Sequence, residues 1–144
     1  MKRDRTAFLQ DWLHSKTRKP LVIRGARQVG KTWLIRDLAR IEQRRLIEMN
    51  FEKQPELKSL FSSNNPQEIL LNIETAGGGK IDPSQTILFL DEIQAAPQLL
   101  EKLRWFAEDL SEMPVVAAGS LLDFALAKHS FSIPVGRISY TPLH

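Results

Sequence analysis

Apolar residues in this chain alternate between helical spacing and short unbroken runs. Phe8, Leu9, Trp12 and Leu13 recur at helical spacing in a first segment that ends near Lys19 and Pro20, because proline disfavours helix in the residue before it. Leu21 to Arg24 is a β-rich run halted by Gly25. Trp33, Leu34, Ile35, Leu38 and Ile41 describe a second amphipathic helix, and Leu46 to Phe51 predicts another strand. Two short helices follow, the second with Asn65 as N-cap, Pro66 in its first position and an end at Gly77-Gly78-Gly79. Thr86 to Leu90 is continuously apolar, as expected of a strand buried on both faces. Pro97 opens a helix whose Leu99, Leu100, Leu103, Phe106 and Leu110 form a core-facing stripe. Val115 to Ala118 reads as the next strand and Arg137 to Leu143 as a last one. Strands alternating with helices predict a parallel α/β sheet. Trp12, Trp33 and Trp105 fall on helical stripes and are expected in the core.

At 144 residues, 42% hydrophobic and 26% charged, the chain has the composition of one ordinary globular domain. It contains no cysteine, which excludes disulfides, thiolate metal sites and cysteine nucleophiles. Its apolar runs are too short to cross a bilayer, and the N-terminus lacks the pattern of a signal peptide, so a cytoplasmic location without membrane contact is expected. His14, His129 and His144 show no metal-ligand spacing. The net charge of +3 conceals an asymmetry: 15 Lys and Arg against 8 Asp and Glu in residues 1–72, but 5 against 9 in residues 73–144. A basic first half could attract nucleic acid, yet no basic run interleaved with aromatics appears, and a solvated surface with a few groups facing phosphates is the simpler expectation.

Gly25-Ala26-Arg27-Gln28-Val29-Gly30-Lys31-Thr32 fits G-x-x-x-x-G-K-[ST] at every fixed position, directly after a strand and opening a helix. Gly25 and Gly30 let the backbone curl so that successive amides face phosphate oxygens, and the helix start adds its positive dipole end. Lys31 is expected to neutralise the β and γ phosphates of ATP, and the Thr32 hydroxyl to reach Mg²⁺. The side chains of Arg27 and Gln28 are expected to face outward. The run Ile87 to Leu90 ends in Asp91-Glu92, which places one carboxylate beside the Mg²⁺ shell and the next within reach of a water aligned on the γ-phosphate. Asp91 is therefore assigned metal support through water, and Glu92 the activation of the attacking water. Ser120, just past the strand Val115 to Ala118, either meets the γ-phosphate or water, or caps the helix Leu121 to Ala127. Arg137 either acts as an arginine finger on the γ-phosphate or forms a surface ion pair.

The strings Arg24 to Thr32, Asn50-Phe51-Glu52, Leu90-Asp91-Glu92-Ile93-Gln94, Ala118 to Leu122 and Pro134 to Arg137 together resemble the prokaryotic AAA-like ATPases that carry a C-terminal domain of unassigned function. The resemblance spans residues 20 to 144. It implies a three-layer P-loop NTPase with a mostly parallel five-stranded sheet of the additional-strand type, and carries nucleotide roles onto Lys31, Thr32, Asp91, Glu92 and Ser120. Residues 1–19 would form an N-terminal helical segment and 20–144 the nucleotide-binding core. Members of the family are longer, so a helical lid and a C-terminal domain are expected to be absent from this chain, and with them surfaces for self-association or a protein client.

The leading expectation is Mg·ATP binding with hydrolysis. A nucleotide-operated switch uses the same loop, and only Glu92 argues for turnover over occupancy. A nucleic-acid-handling ATPase rests on the basic first half alone.

Overall fold

Four runs rich in aliphatic residues, Leu21–Arg24 (β1), Arg45–Asn50 (β2), Thr86–Asp91 (β3) and Val115–Gly119 (β4), form one parallel sheet in a computed structural model that describes residues 2–24 and 29–119. The order across the sheet is β1-β4-β3-β2. β4 is thus inserted between β1 and β3 as the additional strand that the resemblance implies, and β2 lies outside β3. The strand expected at 137–143 lies outside the described residues.

All residues of β3 and β4 are buried, because a parallel sheet covered by helices on both faces has no wet side. Side chains alternate between the two faces, and two core clusters result. On one face Leu21, Ile23, Ile87, Phe89, Val116 and Ala118 pack against helices Lys2–Leu13 (α1) and Val29–Ile41 (α2) through Leu9, Trp12, Leu13, Leu34, Ile35 and Leu38. On the other, Val22, Met49, Leu88, Leu90, Val115 and Ala117 meet helices Pro66–Ile73 (α3) and Leu99–Asp109 (α4). Helix, sheet and helix make three layers. Each fully buried Leu, Ile or Phe side chain contributes roughly 1.5–3 kcal/mol over an exposed one, so the core is held mainly by these two apolar layers. Among the described residues no helix is long and apolar enough to cross a membrane.

Local chemistry sets the boundaries. Asn65 caps α3, its side chain accepting from Gln67 N at 2.9 Å, and Pro66 follows as the first helical residue. Beyond α3 the chain turns at Gly77, whose φ of 130° suits glycine. α4 begins at Leu99 rather than at Pro97, because a tight turn with Leu99 N on Ala96 O at 2.9 Å and Leu100 N on Pro97 O at 3.0 Å precedes it. The Asn50-Phe51-Glu52 string is explained structurally. Asn50 Oδ1 accepts from the amides of Glu52 and Lys53, both at 3.0 Å, which turns the chain after β2. Phe51 then packs edge-on against Phe61, with ring centroids 5.7 Å apart.

Two expectations about the core are corrected. Trp33 is 44% exposed and Ile41 40%. The buried stripe of α2 is Leu34, Ile35, Leu38 and Ala39, and Trp33 stands on the opposite side of the helix. Trp105 is half-buried, with the Arg104 guanidinium 5.3 Å from its ring centroid. Trp12 is buried as expected, and its indole N–H donates to Lys19 O at 2.7 Å, which joins the end of α1 to the approach to β1.

Candidate functional site

In a parallel sheet every strand delivers its C-terminal end to the same edge, and ligands of open α/β folds bind at that edge where neighbouring connections diverge. Here the edge gathers Arg24, Gly119, Asp91 and Asn50, the final residues of β1, β4, β3 and β2. Arg24 pairs with Gly119 and Asn50 with Asp91. The chain leaves β1 for α2 on one side of β4 and leaves β3 on its other side, so the N-terminal turn of α2 and the tip of β3 border one crevice.

Thr32 in the first turn of α2 and Asp91 at the end of β3 meet there. The Thr32 hydroxyl donates to Asp91 Oδ2 at 3.3 Å, and Asp91 Oδ1 accepts from the backbone N–H of Glu92 at 2.9 Å. Asp91 is only 6% exposed. Burying a carboxylate is costly unless its oxygens are held, and both are in contact with donors. Thr32 and Asp91 were paired by their expected roles at Mg²⁺, and they come together across 59 positions of sequence.

The donor set can be tested against that ion. Mg²⁺ takes hard oxygen ligands and is held by one or two carboxylates with substrate phosphates rather than by a dedicated protein cage. Among the described residues no group of three or more His, Asp or Glu side chains could hold a metal. One hydroxyl and one carboxylate at the sheet edge fit an ion that arrives with a phosphate ligand.

Glu92 follows in a left-handed conformation, φ 51° and ψ 46°. For a residue with a side chain this backbone is uncommon, costs on the order of 1–3 kcal/mol and clusters at functional sites. It turns the chain sharply out of β3 into a 3₁₀ turn, Ile93–Ala95, which fully buried Ile93 anchors. The half-buried Glu92 side chain accepts from Gln94 Nε2 through Oε1 at 2.8 Å. In the sequence Gln94 stands only as the last residue of the Leu90 to Gln94 string. Its contact with Glu92 depends on the left-handed turn, which no residue type in the string announces.

Of the phosphate-loop residues, Val29 and Gly30 open α2, with Lys31 and Thr32 next in its first turn. Gly25, Ala26, Arg27 and Gln28 lie outside the described residues, as do Ser120, Arg137 and the helix expected from Leu121 to Ala127. The side chain of Lys31 is likewise not described. His14 lies far along the chain from this edge and contacts Glu42 at 2.7 Å.

A family model described as an AAA domain matches residues 17–144 of the chain. Nothing among curated proteins matches it.

Proposed function

Because the chain belongs to the AAA domain family, a family of nucleotide-binding, ATPase-like proteins, we propose that it binds Mg·ATP at the C-terminal edge of its sheet and hydrolyses it. The observation that carries this reading is the 3.3 Å contact of Thr32 Oγ1 with Asp91 Oδ2. It joins the last residue of the G-x-x-x-x-G-K-T segment to the acidic end of β3. The left-handed turn at Glu92 supports it by setting a second carboxylate directly after the first.

In this reading the amides of Gly25 to Thr32 cradle the phosphates, and Lys31 balances charge on the β and γ groups. Thr32 and Asp91 hold Mg²⁺, which when bound neutralises charge developing on the phosphate oxygens. Glu92 orients a water on the γ-phosphate and accepts its proton. Ser120, one residue beyond the tip of β4, is assigned a polar contact to the γ-phosphate or that water, and Arg137 a charge contact to the transferred group.

Lys31→Ala tests the binding half. Mg·ATP at about a hundredfold above its Kd stabilises a binding protein by roughly 2.7 kcal/mol. The wild type should show that shift in thermal unfolding and Lys31→Ala should not. Equal shifts in both proteins would sink the phosphate-loop assignment.

A further inference from the structure

Gln94 touches at once the residue just past β3 and the last residue of β4. Its Nε2 donates to Glu92 Oε1 at 2.8 Å. Its Oε1 is buried with no hydrogen-bond partner among the described residues and lies directly over Gly119, the last residue of β4. A Cβ placed on Gly119 would stand 2.1 Å from that oxygen, so only glycine leaves room for the amide in its present position. Leaving a buried carbonyl oxygen unpaired is unfavourable, and such groups are rare in folded proteins. The arrangement is held from the other end, where the amide N–H meets a carboxylate in a charge-assisted hydrogen bond. The base of Gln94 is fixed too, since the 3₁₀ turn is closed by Ala95 N on Glu92 O at 3.1 Å.

We infer that Gln94 is a positioning residue for Glu92, braced against Gly119 at the tip of β4. The inference rests on the proposed role of Glu92 in water activation. A glutamate side chain rotates freely about three bonds. Engaging Oε1 with Gln94 removes most of that freedom and leaves Oε2 to face the water. Gly119 supplies the stop that keeps the amide turned toward Glu92, and so ties the carboxylate to the strand end that precedes Ser120. In this role Gln94 acts only through Glu92, so its loss should change the rate and not the affinity.

Steady-state turnover of Mg·ATP by the whole chain tests this, with thermal unfolding as the check on folding and binding. Gln94→Ala should lower kcat by about 10-fold to 100-fold, the scale of a misplaced catalytic group, with KM and the Mg·ATP-induced thermal shift unchanged. Gln94→Met keeps the volume without the donor and should behave alike, which guards against a folding defect in the alanine variant. Gly119→Ala should give the same loss by pushing the amide aside. In a Glu92→Gln background, Gln94→Ala should have no further effect, because both act on one step. If Glu92→Gln is slow while both Gln94 variants keep wild-type kcat, the positioning role is overturned and the water-activating role stands. If Gln94→Ala slows Glu92→Gln by the same factor as it slows wild type, its effect does not pass through Glu92 and the inference also fails. Wild-type turnover in Glu92→Gln would instead overturn the reading beneath both.

Discussion

Arg24, the last residue of β1, pairs with Gly119 at the end of β4 and not with any residue of β3. One inserted strand therefore separates the strand that leads into the phosphate loop from the strand that ends in Asp91, while Leu90 of β3 pairs with Ala117 of β4. The consequence is spatial. Thr32, carried on α2 past the end of β1, can reach back to Asp91 across the tip of β4.

Asp91→Asn should keep the fold and the contact with Thr32 while removing the charge that draws a divalent cation. Turnover by this variant should need more Mg²⁺ than the wild type, so that its deficit narrows as Mg²⁺ is raised at fixed ATP. A Mg²⁺ titration curve superimposable on that of the wild type would remove Asp91 from the metal.

Phe89 is fully buried between the sheet and the α1 and α2 layer. Phe89→Ala should cost about 3–5 kcal/mol of stability, the range for deleting a core aromatic. Denaturant unfolding measures it. A loss under about 1 kcal/mol would mean that this layer packs loosely.

Glu42 fastens the end of α2 to α1. It accepts from Gln10 Nε2 at 2.8 Å and meets His14 Nε2 at 2.7 Å. Those contacts, the Gln10 hydrogen bond first, hold its carboxyl below the usual range. A depressed folded pKa stabilises the fold above the unfolded value, about 4.3, and that stabilisation is lost as pH falls through the folded value. At pH 7 the wild type should exceed Glu42→Gln by about 1 kcal/mol, a modest figure for a hydrogen-bonded charge near the surface. The gap should shrink as pH drops below about 4.3. Unfolding midpoints of both proteins across that range check the sign, and a gap constant with pH would contradict it.

What the sequence disclosed was set by how local the cause is. The start of α3 was legible because Asn65 and Pro66 act on amides one or two residues away. β3 and β4 were legible because burial on both faces leaves an unbroken apolar run. Trp33 lies outside the core it is expected in because the apolar residues of α2 describe more than one stripe, and only docking on the sheet selects Leu34, Ile35 and Leu38. The pairing of Thr32 with Asp91 was expected from their roles in the motif. The brace from Glu92 through Gln94 to Gly119 was not, since it needs a left-handed residue outside glycine and a strand end from elsewhere in the chain.

Glu92→Gln tests the central claim most directly, because it keeps the size of the side chain while removing its charge and its capacity to take a proton. Thermal unfolding should show the same Mg·ATP-induced shift as in the wild type. Turnover by the same preparation should fall by roughly 10² to 10⁴, the span of general base catalysis. Wild-type turnover in Glu92→Gln would contradict hydrolysis through this carboxylate and leave nucleotide occupancy as the function of the site.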